Sequence, residues 1–196
     1  MKIHNAKIDP APENEILLIT GDGRTLPDDL LGFKYFEVPH DTMAIGRSIQ
    51  CVDKVKHWAN VDGPDSVWWA EHLPPRNDGK MPIRHTLGDC RGYDIDWDDE
   101  MGERDRWYGS TALFGVLAGL ALGYKKIILA GCPLDTNGHW YFEDSIKGPD
   151  WTTEDFMAWE KFISNPEHEK VKSLSGFTML MLGKPDKEWI CTKSSR

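Results

Sequence analysis

The chain has 196 residues, a formal net charge of −9, 40% apolar residues and 28% charged ones. That is the length of one domain, and it can bury roughly 70% of its unfolded surface without a disulfide or metal staple. The acidic balance excludes general binding to nucleic-acid backbone, which takes clustered Lys and Arg, although a helix N-terminus and a few arginines still suffice to hold a small anion.

Four cysteines, Cys51, Cys90, Cys132 and Cys191, stand far apart with no CxxC pair. They specify neither a structural zinc site nor a disulfide framework, and Cys132 reads as a buried thiol. The first residues lack the apolar core of a signal peptide, and the longest apolar stretch, residues 112–123, is too short to span a bilayer. No membrane partner is expected, a reducing cytoplasm is the expected location, and a homo-oligomer stays open. Nine tryptophans are unusual. Trp58, Trp68, Trp69, Trp97, Trp107 and Trp140 neighbour charged or loop residues, so they either plug a loop-rich surface or wall a pocket for a flat or sugar-like ligand.

Residues 1–14 read as a tail or an edge strand. Residues 15–20 form a short continuous apolar run, the pattern of a strand buried on both faces. Gly21-Asp22-Gly23-Arg24-Thr25 then makes a turn into a short predicted helix over residues 26–31, with Pro27 in its first turn. Residues 34–38 read as a second strand ended by Pro39. Residues 43–48 read as a strand edge or a turn into a helix. Strands are predicted within 56–62 and 82–87, with a short helix over 66–72.

Residues 88–106 carry eight acidic side chains and no evident apolar period, and read as a loop or lid. Gly109-Ser110-Thr111 opens a helix that is apolar nearly all round, closed by Gly123. Residues 126–130 follow as a buried strand ending in Gly131, which makes half of a parallel crossover unit. After a loop from Pro133 onward come a predicted helix from residue 152 or 153 to 164, a strand or turn over 172–177, and a short helix over 178–182. No internal repeat is present. The pattern specifies one α/β domain over 1–196, a three-layer Rossmann-like fold with a mostly parallel sheet and helices on both faces.

In open parallel sheets, ligands bind at the carboxyl ends of the strands, and three segments fall there. In Gly21-Asp22-Gly23-Arg24-Thr25 the glycines let backbone amides approach a phosphate and Arg24 can clamp it, though a ligand-free strand-to-helix turn explains the residues equally. Gly109, Ser110 and Thr111 offer a helix N-terminus to an anion, or Ser110 or Thr111 simply caps the helix. Asp135 to Tyr141 forms a post-strand loop whose Asn-Gly turn presents His139, a candidate general acid or base. His40 beside Asp41, and Asn60 with Asp62 and Asp65, are weaker candidates. Asp94-x-Asp96-x-Asp98 invites a Mg²⁺ or Ca²⁺ reading but lacks the glycine and distal glutamate of an EF-hand, so a solvated loop is expected and no metal ligands are assigned. No GxSxG elbow follows any strand.

The passage over residues 109–134, GSTALFGVLAGLALGYKKIILAGCPL, resembles a segment shared by bacterial sialyltransferases with a modified Rossmann domain and by pterin-pyrophosphokinase-like proteins. Both groups also open with a strand entering a Gly-x-Gly-x-Ser/Thr turn, which Gly21 to Thr25 looks like, and phages as well as bacteria carry such short domains. The resemblance implies that Gly21, Asp22, Gly23, Ser110 and Gly131 touch a cytidine-type nucleotide and that Tyr141 stands for a phosphate-holding tyrosine. His139 or His168 would supply the base, and Asp22 stands where the sialyltransferases carry asparagine. The expected function is a nucleotide-binding transferase, a nucleotide-sugar-dependent glycosyltransferase first, with His139 and Asp135 at its catalytic centre and the nucleotide sugar as donor rather than cofactor. A Mg²⁺-dependent pyrophosphokinase or nucleotidyl transferase is the alternative, and a non-catalytic nucleotide- or partner-binding module contrasts with both.

Overall fold

A computed structural model describes residues 1–61, 79–87, 92–98, 110–138 and 153–192. Eight strands form one sheet: β1 (Lys2–Ala6), β2 (Ile16–Thr20), β3 (Asp41–Ile45), β4 (His57–Ala59), β5 (Ile83–Leu87), β6 (Ile95–Asp98), β7 (Lys126–Ala130) and β8 (Val171–Ser173). Their order is β1-β6-β5-β4-β3-β2-β7-β8. Every neighbouring pair is parallel except β1 on β6, which is antiparallel. Among the described residues five helices accompany the sheet: α1 (Leu26–Lys34), α2 (Thr111–Leu122), α3 (Thr153–Ile163), α4 (Gly176–Leu182) and α5 (Lys187–Cys191). The chain is therefore α/β with a mostly parallel sheet, and among the described residues no helix is long and apolar enough to cross a membrane.

The central strands explain their own placement. All five residues of β2 and all five of β7 are buried, as continuous apolar runs must be inside a parallel sheet. Alternate residues along a strand face opposite ways, and here they feed different clusters. Leu17, Ile19, Ile127 and Leu129 pack with Leu113, Phe114, Val116 and Ala118 of α2 and with Ala158, Trp159 and Phe162 of α3. Ile16, Leu18, Ile128 and Ala130 pack with Leu26 and Phe33 of α1 and with Ile190 of α5.

α2 begins at Ser110, whose hydroxyl accepts from the Leu113 amide at 3.4 Å, and ends at Gly123 with φ 97°, a left-handed conformation that glycine adopts without a Cβ penalty. Its glycines press it onto the sheet unequally. A Cβ on Gly119 would sit 2.7 Å from Leu17 Cδ2 and 3.0 Å from Ile127 Cδ1, whereas one on Gly115 would meet nothing nearer than Met43 Sδ at 3.3 Å.

Three predicted elements differ. Residues 34–38 are not a strand, because α1 runs on to Lys34: Leu26, Leu30 and Phe33 recur at helical spacing on the side that meets the sheet. Tyr35 is 71% exposed and Glu37 turns the chain with φ 52°, so the β-forming side chains there end a helix. The strand next to β2 is instead β3, Asp41–Ile45, followed by a 3₁₀ turn, Gly46–Gln50. Inside the acidic segment, Ile95–Asp98 is strand β6, with buried Ile95 and Trp97 alternating with aspartates. The helix predicted over 66–72 lies outside the described residues.

The two glycines of α2 give a paired prediction. Gly119→Ala should lower unfolding stability by about 1–3 kcal/mol through overpacking. Gly115→Ala should stay within about 1 kcal/mol of wild type, because gained helix propensity offsets a small readjustment. Urea midpoints of the two variants, at unchanged m-value, check this.

Candidate functional site

β2 connects onward to β3 on one side, while its other neighbour is β7, which leads on to β8. The order of connections therefore reverses between the parallel strands β2 and β7, and crevices at such switch points take the ligands of open α/β sheets. The carboxyl ends of these strands are pressed together. The Gly21 amide donates to Ala130 O at 2.8 Å and the Gly23 amide to Gly131 O at 2.9 Å. A Cβ on Gly131, whose φ is +65°, would collide with Gly21 O and lie 2.8 Å from Leu26 Cβ.

Asp29, on the buried side of α1, holds the assembly from beneath. Its Oδ2 accepts from the Gly131 amide at 2.8 Å, from Ser175 Oγ at 2.6 Å and from Thr25 Oγ1 at 3.0 Å. Ser175 and Thr25 also meet each other at 2.8 Å, so two hydroxyl hydrogens serve three contacts. The ends of β2, β7 and β8 are thus tied to one carboxylate that is 6% exposed.

Among the predicted site residues, Gly21, Asp22, Gly23, Arg24 and Thr25 lie together at this edge with Gly131. Two of the five amides of that turn, those of Gly21 and Gly23, are committed to carbonyls of the β7 end. Asp22 pairs with Arg47 of the 3₁₀ turn at 3.7 Å. Ser110 and Thr111 start α2, whose first turn precedes the contact of Gly115 with Ile45 at the end of β3, so the amides of its N-terminus open toward the same edge. Asp135 folds back on its own loop, accepting from the Asn137 amide and side chain at 2.9 Å each. Gly109, His139 and Tyr141 lie outside the described residues, as do Asp62, Asp65 and most of the acidic segment. His168 sits on a 3₁₀ turn, Pro166–Lys170, with Nδ1 against Asn165 O at 2.7 Å. Burial, with Asp29 and Asp22 nearby, raises the Cys132 thiol well above its ordinary value, which leaves it a packing group and not a nucleophile.

Two predictions about polar groups change. Asp94 is not a solvated loop residue: Arg84 grips it bidentately, Nε to Oδ2 at 2.8 Å and Nη2 to Oδ1 at 2.7 Å, and Asp96 is buried. Burial alone would raise the Asp94 carboxyl, but the Arg84 hydrogen bonds and charge outweigh it and lower its pKa. Among the described residues no group of three or more His, Cys, Asp or Glu side chains is arranged to hold a metal ion. His40 does not orient toward Asp41; its Nδ1 donates to Val38 O at 2.9 Å.

Asp41 instead ends a buried chain of hydrogen bonds that the sequence did not reveal. The Trp97 indole N–H can only donate, and it meets His85 Nδ1 at 3.1 Å. His85 must then carry its proton on Nε2 and donate to His57 Nδ1 at 2.9 Å. His57 in turn donates from Nε2 to Tyr124 OH at 2.8 Å, and Tyr124 donates to Asp41 Oδ2 at 2.6 Å. This direction requires both imidazoles to be neutral. Burial holds His85 down to about 3 against the pull of Asp94. Burial opposes ionisation of Asp41, yet hydrogen bonds from Tyr124, Asn14, the Glu13 amide and Lys56 bring it down to about 2. The chain runs through the interior, where these groups tie strands together.

The fold and this edge define an α/β protein with a mostly parallel sheet whose order of connections reverses at β2 and β7. Comparison with protein-family models, curated proteins and solved structures gives no match.

Two outcomes are expected here. Asp29→Ala leaves the Gly131 amide buried without its acceptor, and should cost about 2–3 kcal/mol in urea unfolding. Acidification should act through His85: the unfolded imidazole takes a proton near 6.5 while the folded one does so only near 3. Unfolding free energy therefore falls as pH drops from 6.5 toward 3, by about 1.4 kcal/mol per pH unit for that group. Asp41 adds a loss that begins below 3.8 and runs to about 2. His85→Gln, which cannot be protonated, should flatten the slope between pH 6.5 and 4, read as urea midpoint against pH.

Proposed function

We propose that the chain is a nucleotide-binding transferase with a three-layer Rossmann-like arrangement, most simply a nucleotide-sugar-dependent transferase of the sialyltransferase-like type. The observation that supports this reading best is the coincidence of three features at one edge. The order of connections reverses between β2 and β7, the Gly21–Thr25 turn and the Gly131–Asp135 loop leave from the two sides of that reversal, and the Ser110-capped helix starts at the same edge. In this reading Arg24 and the first-turn amides of α2 hold the phosphates, and Tyr141 adds a hydroxyl. His139, next in the loop begun by Asp135, takes the proton from the acceptor hydroxyl. The resemblance over residues 109–134 is common to the sugar-nucleotide version and the Mg²⁺-dependent pyrophosphokinase version, so the choice of nucleotide separates them.

One observation favours a second reading, a binding module without turnover. The amides of Gly21 and Gly23 are bonded within the protein, so the turn serves the scaffold and leaves less of the backbone for a phosphate. The two readings separate in one experiment. Thermal unfolding is followed with CMP, UDP, GDP, ADP and ATP, each with and without Mg²⁺, and donor hydrolysis is measured with whichever nucleotide stabilises. A ligand at about 100 times its Kd should add about 2.7 kcal/mol and raise Tm by about 5–10 °C. A transferase hydrolyses a pyrimidine nucleotide sugar slowly, and His139→Ala abolishes that while the Tm shift remains. A shift without hydrolysis favours the binding module, ATP with Mg²⁺ as the stabilising pair favours the pyrophosphokinase, and no shift with any nucleotide overturns the reading.

A further inference from the structure

The link from β3 to β4 carries no α-helix: between Ile45 and His57 it holds one 3₁₀ turn, Gly46–Gln50. In a parallel sheet such crossovers normally lay a helix over the strands. Here α1 covers one part of that face, and a cavity of about 660 Å³ opens beside it over β2 and β3. That volume lies inside the range of roughly 300–1,000 Å³ found for small-molecule sites. Its floor is Leu18, Thr20 and Thr42, and Phe33 and Val52 are among the apolar residues of its walls.

Two polar groups give the cavity a chemistry. Thr42 is 6% exposed and lines the cavity. Its register opposite Leu18 places both on the sheet face that α1 covers. A hydroxyl among apolar walls is the kind of polar group that orients a ligand in such a cavity. His40 packs edge-on against Phe33, with ring centroids 4.8 Å apart, and commits Nδ1 to Val38 O. Its neutral form therefore offers Nε2 as an acceptor. The charged lining residues are Lys34, Glu37 and Asp53, two carboxylates to one ammonium, which disfavours an anionic ligand.

We propose that this cavity binds a small uncharged heteroaromatic molecule, its rings against Leu18, Phe33 and Val52 and a ring N–H donated to the Thr42 hydroxyl. The site does not depend on the nucleotide reading. The test uses the full chain, labelled with ¹⁵N, titrated with indole and with indene, the carbon analogue that lacks the N–H. Indole should move the amide resonances of Leu18, Phe33, Thr42 and Val52 saturably, and Thr42→Val should weaken its binding about fivefold to tenfold, the worth of one such hydrogen bond. Indene should bind wild type and Thr42→Val alike. Leu30→Trp, which fills the cavity from α1, should block indole while the resonances of Gly119 and Ile127 stay in place. Resonances unmoved by indole, equal indole affinity in Thr42→Val, or unchanged binding in Leu30→Trp would overturn the proposal.

Discussion

Gly21 and Gly131 meet backbone to backbone, and the arrangement of the carboxyl edge depends on that contact. Two parallel strands that diverge after their last residues usually leave a crevice. Here Gly21 N and Gly23 N cross it to the carbonyls of Ala130 and Gly131, while the Asp29 carboxylate draws in the Gly131 amide together with Thr25 and Ser175. A side chain at position 131 would meet Gly21 O on one side and Leu26 on the other, so the glycines serve the joining of strand ends whatever else the edge does. The carboxyl ends of β2 and β7 therefore meet in a closed backbone seam.

A second constraint lies in the buried chain from Trp97 to Asp41. A hydrogen-bond chain among ambiguous imidazoles can usually run either way, but the indole N–H at one end and the carboxylate at the other leave a single direction. Every link crosses between elements: β6 to β5, β5 to β4, β4 to the turn after α2, and from there to β3. Buried polar groups that are fully paired specify a unique arrangement, because a slip of one strand leaves several of them unsatisfied at once. That contributes register where strands as short as β4 supply little ladder of their own. Lys56 extends the same logic, bonding Asp41 at 3.1 Å and the carbonyl of Ala11 at 2.8 Å, and so holds the segment ahead of β2.

The sequence was most readable where burial is complete and the pattern one-dimensional. β2, β7 and α2 stand out as apolar runs bounded by glycine. Reading failed where tertiary partners decide. Asp41 and Thr42 look like loop residues until Tyr124, Lys56 and Asn14 are seen to satisfy the aspartate. Trp58 and Trp97 neighbour charged residues in the chain, a pattern that suggests surface plugs or pocket walls, yet both are buried. Trp58 stacks on Tyr93 with centroids 5.6 Å apart and donates to Gly46 O. In the acidic segment the count of aspartates obscured a period of two, Ile95-Asp96-Trp97-Asp98, that was present all along. Asp29 carried a usable signal: an acid three residues after Leu26 and four before Phe33, on the apolar stripe of its own helix, has to find a buried partner.

The two candidate sites follow from different economies of the same sheet. At the carboxyl edge, reversal of the strand order brings loops together and close packing of glycines narrows the space between them. Beside α1, the crossover from β3 to β4 omits a helix, and the space that helix would have filled keeps a floor of Leu18, Thr20 and Thr42. Such a volume favours a ligand that brings its own rings and one donor, and disfavours a phosphate. Thr20 ends β2 next to Gly21 and also lies on the cavity floor, so the two regions share a strand while differing in the chemistry they can hold. A molecule in the cavity would bear on β2 and α1, the elements that also carry the Gly21 turn and Asp29. Occupancy there is thus positioned to stiffen the seam at the carboxyl edge without touching it.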